Sequence, residues 1–385
     1  MVRTLFVFGT RPEAIKLSPV VLHMKSRPEE FDVRVAVTAQ HREMLDQVLA
    51  AFRITPDYDL NLMTPGQTLA SSAARILAAL EPVYYDAKPG IVFVQGDTTT
   101  TFCGALAAFY ARIPVGHVEA GLRTGDLLQP FPEEMNRVVT SRLAAIHFAA
   151  TEGARCNLLR EHVDPDKIHV TGNSGIDALM YVRDRLASGQ LAGQADLDRF
   201  GRDPGKRLIV VTAHRRESFG GGFENICRAL RGIAARGDVE IVYPVHRNPN
   251  VTGPVWHYLD RVPDIHLIEP LDYVPFVDLM RRASILLTDS GGIQEEGPSL
   301  GKPVIVMREK TERPEAVEAG TVRMAGADEN RIVTEVARLL EDTEARGAMS
   351  RVHNPYGDGH ASERIAMATL SFFRGAKSQS HTIES

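Results

Sequence analysis

The sequence predicts an α/β fold with two Rossmann-like, doubly wound parallel-sheet domains that face each other across a cleft. The chain has 385 residues, more than one ordinary hydrophobic core accommodates, which favours two domains. Short apolar runs rich in Val and Ile alternate with longer stretches at helical spacing, as in a parallel sheet covered by helices on both faces. A polar, Gly-containing stretch around 187–206 interrupts this alternation, and a second series of the same kind follows. The two series indicate two such units in tandem.

The individual elements follow from the same pattern. The first series has strand candidates at 5–8, 33–38, 91–95, 115–118, 146–149 and 169–171, with helices between them at 14–25, 44–52, 69–80, 99–111 and 134–143. The second series has strand candidates at 208–212, 240–244, 266–269, 285–288, 303–307 and 322–324. We therefore expect domains at 1–172 and 173–354, and a polar, disordered tail at 376–385.

Composition and charge argue against several classes of function. The net charge of -5 provides no broad attraction to nucleic acid or to anionic lipid, so neither is an expected partner. Three cysteines, far apart and without CxxC spacing, argue against a disulfide framework or a zinc site. We expect neither a signal peptide nor a bilayer-spanning segment, because a strand-like run begins at Arg3 and no apolar run is long enough. The expected protein is cytoplasmic and has no metal centre.

Ligands of doubly wound sheets bind where strands end and helices begin, so the residues at these strand exits indicate the function. At the first exit, Arg11 and Lys16 flank a helix start at Pro12, where backbone N–H groups favour an anion. The alternative is a plain strand-to-helix turn with two surface cations. Neither GxGxxG nor GxxxxGK(S/T) occurs at any strand exit, which argues against a dinucleotide cofactor or a Walker-type nucleotide site. We expect no cofactor.

Acidic residues follow the later exits of the first domain. Asp97 and Glu119 leave neighbouring strands at the same edge of the sheet, which would let them face one cavity. Two carboxylates placed together raise the pKa of one of them, which suits proton transfer near neutral pH. Asp97 is alternatively a helix cap before Thr98, whereas Glu119, directly after an apolar strand, needs a partner. Glu133, after a Pro-rich loop, is either a structural acid of a first helical turn or a fixed catalytic carboxylate.

The second domain offers a histidine and a glycine-rich helix start. His214 follows the first strand of this domain beside two arginines; a lone histidine is more often structural, but this position favours chemistry. Bare backbone N–H groups at 290–292 suit a diphosphate. Glu296, about one helical turn further, is placed to accept from ribose hydroxyls, and Arg313 adds a cation. The alternative is a glycine-rich helix start that binds no ligand, but that interpretation does not explain the acidic residues of this segment or Arg313.

Together these segments closely resemble the non-hydrolysing UDP-N-acetylglucosamine 2-epimerases of bacteria and archaea. The resemblance runs along nearly the whole chain and includes GTRPEAIK at 9–16, TAHRRE at 212–217 and DSGGIQEE at 289–296. Further matching segments lie at 38–42, 96–98, 117–124, 132–137, 354–359 and 361–364. Each segment alone is weak, whereas all of them in this order are highly specific.

The resemblance implies a glycosyltransferase-B-like pair of domains that closes on a UDP-sugar, usually as a homodimer, with a C-terminal helix near 355–375 that crosses back to the first domain. The positions that match the family's catalytic residues are Asp97, Glu119, Glu133 and His214. Those that match its UDP-sugar ligands are Arg11, Lys16, Phe276, Ser290, Gly291, Gly292, Glu296 and Arg313. A second UDP-N-acetylglucosamine, which activates bacterial relatives, would contact Gln40, Glu133 and His246, whereas Glu43 and Gly66 depart from residues found in some relatives.

The implied reaction is the reversible inversion of C2 in UDP-N-acetylglucosamine to give UDP-N-acetylmannosamine, a precursor of cell-surface polysaccharide. It eliminates UDP to form 2-acetamidoglucal, adds UDP back, and needs acid/base groups on both faces of the sugar. The rivals are a glycosyltransferase of the same fold, an epimerase that hydrolyses its product or prefers a modified UDP-sugar, and a non-enzymatic UDP-sugar sensor. The first-domain carboxylates are more numerous than a glycosyltransferase or a sensor needs.

Overall fold

The computed structural model describes residues 1–39, 42–64, 66–351 and 354–382, without the side chains of residue 216 and residues 376–382. These residues divide into two compact units. Unit 1 comprises Met1–Ala178 and the chain from Gly357 on, and unit 2 comprises Leu179–Tyr356. Each unit is built on a parallel sheet of its own.

The sheet of unit 1 contains every strand predicted for the first series. Its strands are β1 (Val2–Phe8), β2 (Phe31–Val37), β3 (Tyr58–Asp59), β4 (Ile91–Gln95), β5 (Val115–Ala120), β6 (Ile146–Ala149) and β7 (Ile168–Val170). Over the described residues these seven strands run parallel in the order β3-β2-β1-β4-β5-β6-β7. The sequence does not predict β3, because its two residues lie in a polar stretch without an apolar run.

Helices cover this sheet, and side-chain caps fix several of their starts. They are α1 (Arg11–Lys25), α2 (Arg42–Ala51), α3 (Leu69–Ala87), α4 (Thr99–Tyr110), α5 (Glu133–Leu143) and α6 (Glu152–Arg160). The next helix, α7 (Ser174–Ala187), begins in unit 1 and ends in unit 2. The hydroxyl of Thr98 accepts from the N–H of Thr101 at 3.1 Å before α4, and the hydroxyl of Thr151 accepts from the N–H of Ala154 at 3.2 Å before α6. Such caps satisfy N–H groups that the helix itself leaves open.

Unit 2 repeats this architecture with the strands predicted for the second series. Its strands are β8 (Arg207–Thr212), β9 (Val239–Pro244), β10 (Ile265–Ile268), β11 (Ile285–Thr288), β12 (Val304–Val306) and β13 (Val322–Met324). Its α-helices are α8 (Gly221–Ala234), α9 (Pro249–Leu259), α10 (Tyr273–Arg282), α11 (Gly291–Ser299), α12 (Pro314–Glu318), α13 (Glu329–Glu341) and α14 (Thr343–Arg351). Over the described residues, its six strands run parallel in the order β10-β9-β8-β11-β12-β13. The predicted pair of doubly wound parallel sheets is therefore confirmed.

The strand order reverses once in each sheet, and these points position the candidate site residues. In unit 1, β2 pairs with one edge of β1 and β4 pairs with the other edge, so the strand order reverses between β1 and β4. In unit 2, the strand order reverses between β8 and β11. Ligands of doubly wound sheets bind at the carboxyl ends of the strands at this switch point. The residues that follow the four strands are Gly9, Gly96, Ala213 and Asp289.

Close packing brings α11 onto the sheet of unit 2. A Cβ atom on Gly297, within α11, would lie 2.5 Å from Val304 Cγ2 and 2.9 Å from Leu286 Cδ1. The lack of a side chain at this position lets the helix lie directly on β11 and β12. The start of α11 is thereby fixed at the end of β11.

The last helix, α15 (Ala361–Thr382), belongs to unit 1 and packs against α1. The carboxylate of Asp177 accepts from the N–H groups of Ala361 at 3.2 Å and Ser362 at 2.7 Å, which caps its first turn. Its backbone extends to Thr382, and residues 383–385 lie outside the described residues, so the disordered tail stays a prediction. Among the described residues, none of the helices combines the length and apolar character that a bilayer-spanning segment requires.

Candidate active site

The exit of β1 is held by a buried carboxylate. Glu13, in the first turn of α1, is 1% exposed, and its Oε2 accepts from the backbone N–H groups of Gly9 at 3.1 Å and Thr10 at 2.8 Å. Its Oε1 accepts from the hydroxyl of Thr98 at 2.7 Å, one residue beyond Asp97. Burial raises the pKa of Glu13, and these hydrogen bonds oppose the rise. Glu13 therefore ties the exit of β1 to the exit of β4.

Glu119 occupies an uncommon backbone position at the exit of β5. Its φ is +63°, and the pairing of β5 with β6 shifts register between Val118 and Ala120. Its carboxylate, 8% exposed, accepts from Lys16 Nζ at 2.5 Å and from the side-chain amide of Gln95. The partner that the sequence requires for Glu119 is thus Lys16, a cation of the first exit. Strained backbone that carries a polar group is frequent at functional sites.

Asp97 follows β4 and interacts electrostatically with this pair. Its carboxylate accepts from the guanidinium of Arg137. Burial raises the pKa of Asp97; Arg137 and Lys16 oppose the rise, and the charge of Glu119 adds to it. The cap of α4 is Thr98, so the alternative interpretation of Asp97 as a helix cap is wrong. A buried carboxyl group with a raised pKa beside a second carboxylate is a candidate for proton exchange with a substrate.

The two acids at the start of α5 have different surroundings. Glu134 is 1% exposed and accepts from the N–H groups of Thr124 at 2.9 Å and Gly125 at 3.0 Å and from Arg137 at 3.0 Å. Glu133, by contrast, is partly exposed and lines a pocket of about 490 Å³ together with Asp97. Glu134 is therefore the structural acid of this helical turn, because it binds backbone N–H groups and Arg137. Glu133 lines the same pocket as Asp97.

A buried histidine supports the loop before Asp97. His117, within β5, is fully buried, and its Nε2 lies 2.8 Å from the carbonyl oxygen of Gly96. Burial lowers the pKa of His117 to about 4, so the ring is neutral at pH 7. Because a carbonyl oxygen only accepts, the proton of the neutral ring resides on Nε2. His117 thereby fixes the turn that carries Asp97.

In unit 2, His214 follows β8 and is held from β11. Asp289, which is completely buried, accepts on Oδ2 from the N–H groups of His214 at 2.6 Å and Arg215 at 2.7 Å. The imidazole of His214 stacks on that of His246, with ring centroids 5.3 Å apart. Burial lowers the pKa of His214; Asp289 opposes this effect, whereas Arg215 and His246 reinforce it. A neutral imidazole at a strand exit can accept or relay a proton.

The start of α11 combines backbone donors with a nearby cation. Ser290 is the N-cap, its own N–H donates to the hydroxyl of Thr288 at 2.9 Å, and its side chain makes no capping hydrogen bond within the described part of the chain. The guanidinium of Arg313 would lie 3.8 Å from a Cβ on Gly291, and its Nε donates to the buried carboxylate of Glu295. Helix N–H groups and a fixed guanidinium favour a phosphate at this position.

Glu296 and Phe276 lie on neighbouring helices of unit 2. Both are partly exposed, Glu296 on α11 and Phe276 on α10. Burial raises the pKa of Tyr273 at the start of α10 well above its ordinary value, and the charge of Glu296 adds to the rise, which places this carboxylate near α10. The structure thus groups Glu296 with the helix that carries Phe276.

The structure describes His246 but not Gln40, two of the residues expected to contact the activator. His246 stacks on His214, and its Nδ1 accepts from the N–H of Asn248 at 3.1 Å. Gln40 lies outside the described residues.

No group of three or more His, Cys, Asp or Glu side chains suited to a metal ion occurs within the described ranges.

Comparison with known proteins decides the family. The model of the family described as UDP-N-acetylglucosamine 2-epimerase matches residues 23–370. The chain belongs to the UDP-N-acetylglucosamine 2-epimerase family. The UDP-N-acetylglucosamine 2-epimerase of Salmonella typhimurium is 59% identical over 96% of this chain and 99% of that protein. The protein of the same name from Bacillus subtilis is 51% identical over 98% of this chain and 97% of that protein.

Solved structures agree with this assignment. The UDP-GlcNAc 2-epimerase of Neisseria meningitidis, solved bound to UDP-GlcNAc, has a TM-score of 0.85 and 47% identity, covering 96% of this chain and 100% of that chain. The Listeria monocytogenes relative has a TM-score of 0.89 and 44% identity, covering 97% of each chain. The predicted family and the glycosyltransferase-B-like fold class are confirmed, and the protein is an enzyme of the isomerase class. The alternatives of a glycosyltransferase and of a non-enzymatic sensor are wrong.

Three residues that shape the site are not singled out by the sequence analysis. Glu13 stands three residues after Thr10, the spacing of a capping box, and this signal could have found it. Asp289 directly follows β11, so the argument that the sequence analysis applies to Glu119, a charge after an apolar run, applies to it as well. His117 lies inside a strand, where its spacing gives no signal of its contact with Gly96. The roles of the residues that the sequence does single out stay predictions.

Proposed function

We propose that this enzyme interconverts UDP-N-acetylglucosamine and UDP-N-acetylmannosamine by inverting C2 of the sugar. The observation that carries this proposal is the cluster at the switch point of unit 1, where Asp97 has a raised pKa beside Glu119 and two cations, Lys16 and Arg137. Such a cluster supplies groups that can release and accept protons near neutral pH. The relatives from Neisseria meningitidis and Methanocaldococcus jannaschii, solved with UDP-GlcNAc, support the substrate.

The proposed mechanism avoids direct formation of a carbanion at C2, whose hydrogen is not acidic. A base removes the C2 proton while the bond between C1 and the UDP oxygen breaks, and the electron pair of that bond leaves with UDP. The C2–H electrons form the C1=C2 double bond of 2-acetamidoglucal. A proton is then delivered to C2 from the opposite face, and the UDP oxygen adds back to C1. The proton transfers are assigned jointly to Asp97, Glu119, Glu133 and His214.

The departing UDP needs positive charge and hydrogen-bond donors, and unit 2 is suited to supply them. We assign the diphosphate to the start of α11, with Ser290, Gly291, Gly292 and Arg313 as its ligands, and the ribose to Glu296. The uracil is assigned to the surroundings of Phe276. Arg11 and Lys16 add cations from unit 1. Donors that are already in place stabilise a developing charge without reorganisation.

Proton NMR in D2O tests the mechanism. UDP-N-acetylglucosamine is incubated with the enzyme, with chelator present and without nicotinamide cofactor. We expect UDP-N-acetylmannosamine that carries deuterium at C2, because elimination and re-addition exchange that proton with solvent. A product that retains protium at C2 rules the mechanism out. Release of free N-acetylmannosamine and UDP would identify a hydrolysing enzyme. Turnover that appears only after metal or nicotinamide cofactor is added would contradict a cofactor-free reaction, and a lack of turnover that neither restores would indicate a modified UDP-sugar as substrate.

The resemblance further predicts a homodimer, supply of a precursor for cell-surface polysaccharide, and activation by a second UDP-N-acetylglucosamine. A cytoplasmic location, which is expected from the sequence and not from the resemblance, also stays a prediction. The activator's site would include His246 and Glu133, and the departures at Glu43 and Gly66 predict weaker binding there. An activator must bind the active state more tightly than the inactive one.

A further inference from the structure

We infer that Asp289 is a positioning residue that holds the proton of neutral His214 on Nδ1, leaving Nε2 as the nitrogen that acts on the substrate. The inference rests on the proposed catalytic role of His214. It is carried by the geometry of a buried carboxylate with one oxygen committed to the backbone and the other facing the imidazole. Three groups define this geometry: Oδ2 of Asp289, which binds the backbone, Oδ1 of Asp289, which faces the imidazole of His214, and the ring of His246, which stacks on that imidazole.

The first oxygen of Asp289 anchors the loop. Oδ2 accepts from the N–H of His214 at 2.6 Å and from the N–H of Arg215 at 2.7 Å. Because Asp289 directly follows β11 and His214 follows β8 after Ala213, these bonds fasten the two strand exits of the switch point to each other. The backbone of His214 is thereby fixed relative to α11, where the diphosphate is assigned.

The second oxygen of Asp289 faces the ring. Oδ1 lies 3.5 Å from Nδ1 of His214, is buried, and has no hydrogen-bond partner among the described residues. A buried carboxylate oxygen can only accept, so a proton on Nδ1 satisfies it and a lone pair on Nδ1 repels it. A separation of 3.5 Å is longer than a formed hydrogen bond, and such contacts commonly tighten when substrate binds.

Burial lowers the pKa of His214, and Arg215 and the stacked ring of His246 add to this effect, so the position of the single ring proton matters. The charged or titratable groups that act on the His214 ring are Asp289, Arg215 and His246. Nδ1 of His246 is occupied as an acceptor by the N–H of Asn248, so a neutral His246 carries its proton on Nε2. With both rings neutral, the two stacked imidazoles hold opposite tautomers. The side chain of His214 is 36% exposed while that of Asp289 is fully buried, so the edge away from Asp289 is the accessible one.

The test replaces the carboxylate by an amide of the same shape. In Asp289→Asn, the amide oxygen can keep both backbone hydrogen bonds, and the NH2 group then donates to Nδ1, which moves the ring proton to Nε2. We expect kcat to fall by about 10²-fold or more, since a switched tautomer presents the wrong nitrogen. KM and the Kd for UDP should stay within about twofold, because the anchoring bonds remain. Asp342→Asn is the matched control: Asp342 also accepts from two backbone N–H groups, Glu344 at 3.0 Å and Ala345 at 2.8 Å, on an exposed helix start.

Nitrogen-15 NMR of histidine-labelled protein reports the tautomer directly, with His214→Gln used to assign the signal. Wild-type enzyme should show Nδ1–H, and Asp289→Asn should show Nε2–H. Nε2–H in the wild type, which needs no variant to fold, overturns the inference, as does an unchanged tautomer in Asp289→Asn. A switched tautomer with unchanged kcat supports the control of the ring by Asp289 and removes His214 from the proposed catalytic set. The D2O experiment continues to test the overall reaction independently.

Discussion

The two switch points share a topology and differ in their chemistry. In unit 1, the ends of β4 and β5 carry Asp97 and Glu119; burial raises the pKa of Asp97, the charge of Glu119 adds to the rise, and Glu119 is paired with Lys16. In unit 2, the exit of β11 continues into backbone N–H groups at the start of α11, and the ionisable ring of His214 has a lowered pKa. Under the proposed function, the switch point of unit 1 would therefore supply most of the acid/base groups, with His214 added from unit 2, whereas the switch point of unit 2 would supply most of the donors to the diphosphate. The same sheet geometry would then support two different kinds of chemistry.

Both switch points nevertheless use the same structural device. Glu13 in unit 1 and Asp289 in unit 2 are buried acids, and one oxygen of each accepts from two consecutive backbone N–H groups. Glu13 binds the turn of its own helix, while Asp289 reaches the turn of the neighbouring strand. In each case the loop after the first strand of the sheet is fixed by a carboxylate that would be costly to bury without those donors.

The largest effect that the comparison predicts concerns turnover in unit 1. Asp97→Asn and Glu119→Gln should lower kcat by about 10²–10⁴-fold, the usual contribution of an acid/base group, while the Kd for UDP changes little. Steady-state kinetics and calorimetric titration with UDP measure the two quantities. Glu152→Gln, which removes a carboxylate whose side chain is 72% exposed on the same unit, is the control. Near wild-type kcat in one variant would remove that residue from the proposed catalytic set, and near wild-type kcat in both would contradict the assignment of the acid/base work to this pair.

The complementary prediction concerns nucleotide binding in unit 2. Arg313→Ala should weaken UDP by about 10–100-fold, because a hydrogen bond to a charged group contributes about 1.5–3 kcal/mol. Since this variant also leaves the buried Glu295 without its guanidinium partner, Arg313→Lys is measured beside it to retain a charge there. Glu296→Ala should weaken UDP binding less, because Glu296 is partly exposed and is assigned to the ribose hydroxyls, not to the charged diphosphate.

Calorimetry with UDP on variants whose circular dichroism matches the wild type provides the measurement. Arg261→Ala, whose side chain is 93% exposed on the same unit, should bind UDP normally. Unchanged UDP affinity in Arg313→Ala would contradict the assignment of the diphosphate to the start of α11 and would remove the contrast between the units.

The sequence predicts the strands well because parallel strands buried on both faces are continuous apolar runs, such as Ile91–Gln95 and Ile285–Thr288. It also predicts that the polar residues after those runs gather at one edge, as Asp97 and Glu119 do. The partner of each polar group is harder to predict. The contact of Glu119 with Lys16 joins residues that are 103 positions apart in the sequence. It also lies at a register shift in β5, which no local sequence pattern predicts.

The helix caps show the same limit at shorter range. Either Asp97 or Thr98 is an acceptable cap by residue type, and local sequence does not choose between them. The structure chooses Thr98 because its hydroxyl also donates to Glu13, 85 positions away. This choice releases the carboxylate of Asp97 for Arg137 and for chemistry. Single residues at strand exits are thus predictable as a group, whereas their division into structural and reactive members depends on tertiary contacts.

The smallest expected effect is on stability. Asp97→Asn, which should lower kcat, should raise the free energy of unfolding. Burial raises the pKa of Asp97, so the ionised form is less favourable in the folded chain than in the unfolded one. The contribution of Asp97 to stability is therefore complete below its ordinary pKa and is lost as the pH rises through the raised one. Asp97→Asn, which stays neutral, should have a higher free energy of unfolding than wild type at pH 7.

Urea unfolding of both proteins from pH 4, close to the ordinary pKa of Asp97, to pH 8 tests this, with Glu152→Gln as the control whose side chain is 72% exposed. The gain in Asp97→Asn should shrink as the pH falls, because wild-type Asp97 then becomes protonated and resembles the amide. A variant that is less stable than wild type at pH 7 would mean that the lost pairing with Arg137 outweighs the relief from burying a charge. In that case Asp97 would be a structural ion-pair member, as Glu134 is, and the contrast between the two switch points would rest on Glu119 and Glu133.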